Sequence, residues 1–189
     1  MSWILTRSGR KFDLANPMPE MVDITDIAHS LSMQCRFNGH TRSFYSVAQH
    51  CCLVADLAPP SQQLVALLHD ATEAYVGDLV RPLKESMRHF AQSHGDECLY
   101  DLTERKVWLA ICLRFGIDPM LPTSVKHADM VALATEKRDL MPLHPEPWPC
   151  LTGISPAREA ITPRTPATAA SAYLMRFTDL FNQQGSAVA

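Results

Sequence analysis

A chain of 189 residues, 47% of them hydrophobic, has the size of one compact domain and enough apolar material for a core. Its 17 basic and 20 acidic residues leave a formal charge of −3, which argues against a bulk nucleic-acid binder, since such proteins carry a basic excess or stripe. No run approaches the roughly 18 uninterrupted apolar residues of a membrane span. The start Met1-Ser2-Trp3-Ile4-Leu5-Thr6-Arg7 also lacks the apolar stretch of a secretory signal.

Trp3 to Leu14 sets Ser8-Gly9 between two short, partly apolar runs, the pattern of a small hairpin. Pro17 and Pro19 break the chain. Asp23 to Met33 reads as a helix capped by Asp23, with Ile24, Ile27, Ala28 and Leu31 at helical spacing. Cys35 to Phe44, containing Asn38-Gly39, is a connection. Ser46 to Leu57 forms the next helix, closed by Pro59-Pro60. Ser61 is expected to cap another, running through Leu64, Val65, Leu67, Leu68 and Ala71 to about Tyr75, where Gly77 stops it.

Asp78 to Lys84 reads as a loop leading to a further helical piece. Gly95 to Phe115 is a long helix ended by Gly116, and Thr123 opens one that continues to about Met141, before Pro142. Seven of the 14 prolines lie between Pro142 and Pro166, so that stretch is irregular, a lid or a surface strap. Ala167 to Asn182 is a final helix and Gln183 to Ala189 a frayed tail. The expected architecture is therefore all-α, one domain over 1–189 with a core at about 23–141, an irregular 142–166 and a last helix at 167–182.

The six cysteines, Cys35, Cys51, Cys52, Cys98, Cys112 and Cys150, form no C-x-x-C pair, and several sit in apolar helical contexts. They read as reduced core residues of a cytoplasmic protein, not as a zinc cluster.

Chemistry concentrates at His69-Asp70, which follows the apolar run Leu64 to Leu68. A carboxylate on the inner part of a helix costs several kcal/mol, roughly, unless a partner or a metal offsets it. His50 shares an apolar helix face with Val47, Cys51 and Val54, and Asp129 lies beside Ala128, Ala132 and Leu133. Taken singly, His50 reads as a packed histidine and Asp129 as an i, i+3 partner of Lys126. Taken together, two imidazoles and two carboxylates from separate helices suit one divalent ion.

The order H…HD…D resembles the HD-domain metal-dependent phosphohydrolases. Ser46-Val47-Ala48-Gln49-His50 is similar to the first-histidine motif of the branch that includes bacterial 5′-deoxynucleotidases. His69-Asp70-Ala71-Thr72-Glu73 is similar to its HD-x-x-E motif, Gly77 to Lys84 to its GD-x-x-x-P-x-K segment, and Lys126-His127-Ala128-Asp129 to its last-ligand motif. Phage dATP triphosphohydrolases resemble the chain in length and motif order.

The resemblance implies an HD-domain helical bundle with His50, His69, Asp70 and Asp129 as metal ligands. Co2+ or Mn2+ is the first choice of ion, with Fe2+, Ni2+, Zn2+ and Mg2+ as further candidates. Glu73, four residues after His69, is expected to do general acid/base work, and Asp78 to orient water or bind the sugar. Arg36, Arg42 and Lys84 are the expected phosphate contacts, Arg36 foremost because the family carries an arginine upstream of the first histidine.

The implied activity is cleavage of a phosphate ester or anhydride of a deoxynucleotide, as a 5′-deoxynucleotidase or a dNTP/dATP triphosphohydrolase. The partners expected are a small deoxynucleotide substrate and further copies of the chain in a homo-oligomer, with no nucleic-acid polymer and no membrane. The expected location is the cytoplasm, that of the host if a phage carries the gene. The alternative is a nucleotide-binding HD sensor without catalysis. The G-Y-P element of the cyclic-dinucleotide branch, the early ED pair of alarmone hydrolases, the P-loop and G-x-S-x-G are all absent.

Overall fold

The computed structural model describes residues 3–187. Met1, Ser2, Val188 and Ala189, the ends of the expected 1–189 domain, lie outside the described residues. The fold is all-α with a small N-terminal hairpin. Strands β1 (Trp3–Leu5) and β2 (Lys11–Asp13) pair antiparallel, Ile4 opposite Phe12. The hairpin is anchored to the helices twice. Ser8 donates through its backbone N–H and its hydroxyl to the buried Asp26 carboxylate, and the Phe12 ring stacks on Tyr75 at 3.7 Å.

Helix α1 (Ile24–Met33) is capped by Asp23, which accepts from the Thr25 N–H, and α2 (Val47–Leu57) by Ser46, which accepts from the Gln49 N–H. The remaining helices are α3 (Gln63–Leu68), α4 (Glu73–Val76), α5 (Arg81–Ser93), α6 (Leu99–Phe115), α7 (Thr123–Leu140) and α8 (Pro166–Ala187). Helix α2 lies at the centre, packed by α1, α3, α7 and α8. Its Val47, Ala48, Cys51, Val54 and Ala55 are fully buried beside Leu31 of α1, Leu67 of α3 and Tyr173 of α8.

Five sequence expectations need correction. The helix expected from Ser61 to Tyr75 is broken. A 3-10 turn at Pro60–Gln62 precedes α3, no side chain caps it, and α3 stops at Leu68. The cause lies at its C-terminal carbonyls. Ala66 O is taken by His69 Nδ1 (2.7 Å), and Leu67 O accepts from the Tyr173 hydroxyl of α8 (3.1 Å). The backbone tightens to i→i+3 bonds, Ala71 N to Leu68 O and Glu73 N to Asp70 O, before α4 begins. Gly77 then reverses the chain at φ 83°, a conformation that costs a glycine little.

Second, the expected loop 78–84 already contains the first turn of α5, with Pro82 in a position where its missing N–H costs nothing. Third, the expected helix from Gly95 begins only at Leu99, because the turn at Gly95 closes α5. Fourth, Cys150 is exposed and Cys35 half-buried, whereas Cys51, Cys52, Cys98 and Cys112 are buried free thiols. Fifth, the tail expected to fray from Gln183 continues α8 as helix to Ala187.

The proline-rich stretch is a strap pinned to the bundle. Gln49 bonds Thr162 O and Arg164 N, Thr135 Oγ1 accepts from Ala157 N, and Asp139 accepts from Ile161 N. Its Trp148 meets Lys137 and lies 6.2 Å from the Phe37 ring. Among the described residues no helix is long and apolar enough to cross a membrane.

Candidate metal centre

Three elements bring ionisable side chains to one place. Helix α2 offers His50, the break between α3 and α4 offers His69 and Asp70, and α7 offers Asp129. His50, His69 and Asp129 each have a donor atom within 4.8 Å of the others. Asp70 Oδ2 lies 3.4 Å from His50 Nε2 and 3.3 Å from His69 Nε2, and Asp129 Oδ1 is 3.3 Å from His50 Nε2. The imidazole centroids are 5.3 Å apart. Cys51 Sγ also falls within 4.8 Å of donor atoms on His69 and Asp70, although burial pushes its thiol well above the ordinary range.

Each imidazole is engaged at Nδ1. His69 Nδ1 lies 2.7 Å from a carbonyl, Ala66 O, which can only accept, so the proton sits on Nδ1. His50 Nδ1 lies 2.6 Å from Glu136 Oε1. Both Nε2 atoms are buried and have no hydrogen-bond partner among the described residues. Two buried imidazole nitrogens with orphaned Nε2 atoms, facing two carboxylates, form a donor set that a divalent cation fits.

The electrostatics agree. Burial opposes ionisation of Asp70, yet His69 and His50 hold it well below the usual carboxylate range. Burial opposes ionisation of Asp129 as well, but the His50 ring 3.3 Å away and the charges of both imidazoles hold it below the usual carboxylate range. Burial and Arg36 oppose a charged His50, but Glu136, Asp129 and Asp70 raise it well above the ordinary histidine value.

Glu73 is buried beside the ligands. Burial, then Asp70 and Asp78, push its carboxyl well above the ordinary range, and its Oε2 has no hydrogen-bond partner among the described residues. Asp78 is raised by burial and by Asp70. Gln34 holds this segment in place, donating to Glu73 O (3.0 Å) and accepting from Asp78 N (3.1 Å). Lys84 Nζ lies 3.1 Å from Glu104 and 4.0 Å from Glu73.

Arg36 reaches the cluster, but its guanidinium faces carboxylates, Glu136 at 3.3 Å and Asp70 at 3.5 Å. Burial opposes its charge, and Glu136, Asp70, Asp78 and Glu73 together more than offset the penalty. It enters from a turn in which Phe37 has φ 55°, an uncommon conformation for a bulky side chain. Arg42 is exposed. Its backbone N–H bonds Leu140 O, and among the described residues its side chain forms no ion pair.

Sequence reasoning overlooked Glu136, which is wholly buried. The available signal was its spacing, seven residues after Asp129 and so on the same helix face. It also overlooked the cleft that opens from the cluster. This cleft, of about 490 Å3, is lined by His69, Asp70, Asp129, Arg88, Arg105 and Trp108 among others. Arg88 is paired bidentately with Asp101, and Arg105 donates one hydrogen bond to Glu97.

No family model matches the chain. It is 41% identical to the uncharacterized protein YfdR of Escherichia coli (strain K12) over 182 residues, 95% of this chain and 96% of that protein. It is 36% identical to an uncharacterized protein of Rhodobacter capsulatus over 136 residues, 67% of this chain and 65% of that protein. By its near full-length match, the chain belongs to the same family as YfdR.

Proposed function

We propose that this chain is an HD-domain metal-dependent phosphohydrolase that cleaves a phosphate ester or anhydride of a deoxynucleotide. The observation that carries the reading is the pair of buried imidazoles, each engaged at Nδ1 and free at Nε2, facing Asp70 and Asp129. His50, His69, Asp70 and Asp129 would hold the ion. Imidazole donors beside carboxylates favour Mn2+ or Co2+ over Mg2+. When bound, the ion supplies Lewis acidity toward phosphorus and lowers the pKa of water.

The chain's own groups supply the rest. Glu73 retains its proton to higher pH than an ordinary carboxylic acid and lies next to the ligands, which suits it to deliver or accept a proton at the phosphoryl oxygens. Asp78, also inclined to stay protonated, can hydrogen-bond a sugar hydroxyl or a water. Lys84 balances Glu73 and Glu104. The cleft accommodates the remainder of the substrate, with the half-buried Trp108 to meet a base, while Arg88 and Arg105 line it already paired with Asp101 and Glu97.

The test is release of phosphate or triphosphate from deoxynucleoside mono- and triphosphates by the full chain, with Mn2+ or Co2+ added after chelation. Turnover is expected with metal, and Glu73→Gln should lower it by about 10²–10⁴-fold. Nucleotide binding without turnover under every metal would instead favour a sensor. Absence of both would remove the proposal.

A further inference from the structure

We infer that Glu136 is the positioning residue of the centre, holding the His50 ring with its Nε2 lone pair toward the ion. The inference rests on the metal reading above. Glu136 and His50 are both fully buried, with Oε1 2.6 Å from Nδ1. Packing alone does not call for a carboxylate here, because an apolar side chain of similar volume would fill the space without the desolvation penalty. What the carboxylate adds is direction and charge. It accepts from Nδ1–H, which selects one tautomer and one ring orientation, and it makes the imidazole a stronger donor.

Arg36 is the counterpart that keeps this arrangement tolerable. Its guanidinium lies 3.3 Å from Glu136 Oε2, the oxygen that His50 does not engage, and 3.5 Å from Asp70. The two imidazoles are thus held by different devices, His69 by a neutral backbone carbonyl and His50 by a full charge. Helix α7 carries both Asp129, a ligand, and Glu136, the brace of another ligand. Two turns of one rigid helix therefore fix the position of two donors against α2.

The test compares the full-length protein with Glu136→Gln, a near isostere that removes the charge. Mn2+ affinity is measured by calorimetry after chelation, and unfolding by urea is measured without metal. Glu136→Gln should bind Mn2+ about 10–100-fold more weakly, a loss that a folded variant with an intact cluster would not otherwise show. Affinity within twofold of the parent overturns the inference while leaving the metal reading intact.

If the parent itself binds neither Mn2+ nor Co2+, the metal reading falls and the inference with it. A measurement on the unaltered protein covers the case in which the variant fails to fold. The Zn2+-loaded, 15N-histidine-labelled chain should show a slowly exchanging His50 Nδ1–H, and a proton on Nε2 instead overturns the inference.

Discussion

Replacing Arg36 with alanine separates two roles for this residue. If it neutralises a buried carboxylate, its loss strands Glu136, which is 0% exposed and is left with His50 and the neighbouring Tyr45 hydroxyl but no cation of fixed charge in contact among the described residues. Removing one member of a buried pair typically costs about 3–5 kcal/mol. Native domains have only about 5–15 kcal/mol of stability in total. At about 2–4 °C per kcal/mol for a chain of this size, the melting temperature should fall by about 6–20 °C.

The assay is urea and thermal unfolding of the metal-free protein, parent against Arg36→Ala, Glu136→Gln and the double variant. Because the two groups are in contact, the double variant should cost about 0.5–3 kcal/mol less than the sum of the singles. A substrate-gripping arginine behaves otherwise, raising KM with little effect on unfolding. A loss below about 1 kcal/mol, or strict additivity, would refute the neutralising role.

Three further outcomes can be checked separately. Phe12→Ala removes a wholly buried ring stacked on Tyr75 and should cost about 3–5 kcal/mol in urea unfolding, with the hairpin no longer held to the bundle. Asp139 is held below its ordinary value by hydrogen bonds from Arg138, helped by the Ile161 N–H, against slight burial. Its contribution to stability is therefore present above its unfolded pKa and lost as pH falls through the lower folded value, so Asp139→Asn should flatten the acid limb of a stability–pH curve below about pH 4. Among the thiols, exposed Cys150 should alkylate first at neutral pH. Cys52 and Cys112, pushed up to about 11 and about 12 by burial, should stay unmodified in peptide mapping until the chain unfolds.

Sequence alone was sufficient wherever the deciding interaction was local. The Asp23 and Ser46 caps act within one helical turn, the Ser8-Gly9 turn joins strands a few residues apart, and apolar spacing reports which faces of α1 and α2 meet the core. The candidate ligands were readable because histidines and aspartates stand out at apolar helix positions. Glu136 was not, because a glutamate near the end of a helix normally faces water and only the fold reveals that this one faces His50.

Tertiary structure decided the rest. The break that presents His69 and Asp70 to the cleft depends on a tyrosine hydroxyl from α8, 106 residues away, taking the carbonyl of Leu67. Arg36 faces two carboxylates and Arg42 faces solvent, a difference that their positions on either side of Asn38-Gly39 do not encode. The cleft wall of Arg88, Arg105 and Trp108 exists only because α5 and α6 fold beside the α3–α4 break. Local signals act over about one turn of helix, whereas a site built from α2, α7 and the α3–α4 break is specified by packing between segments far apart in the chain.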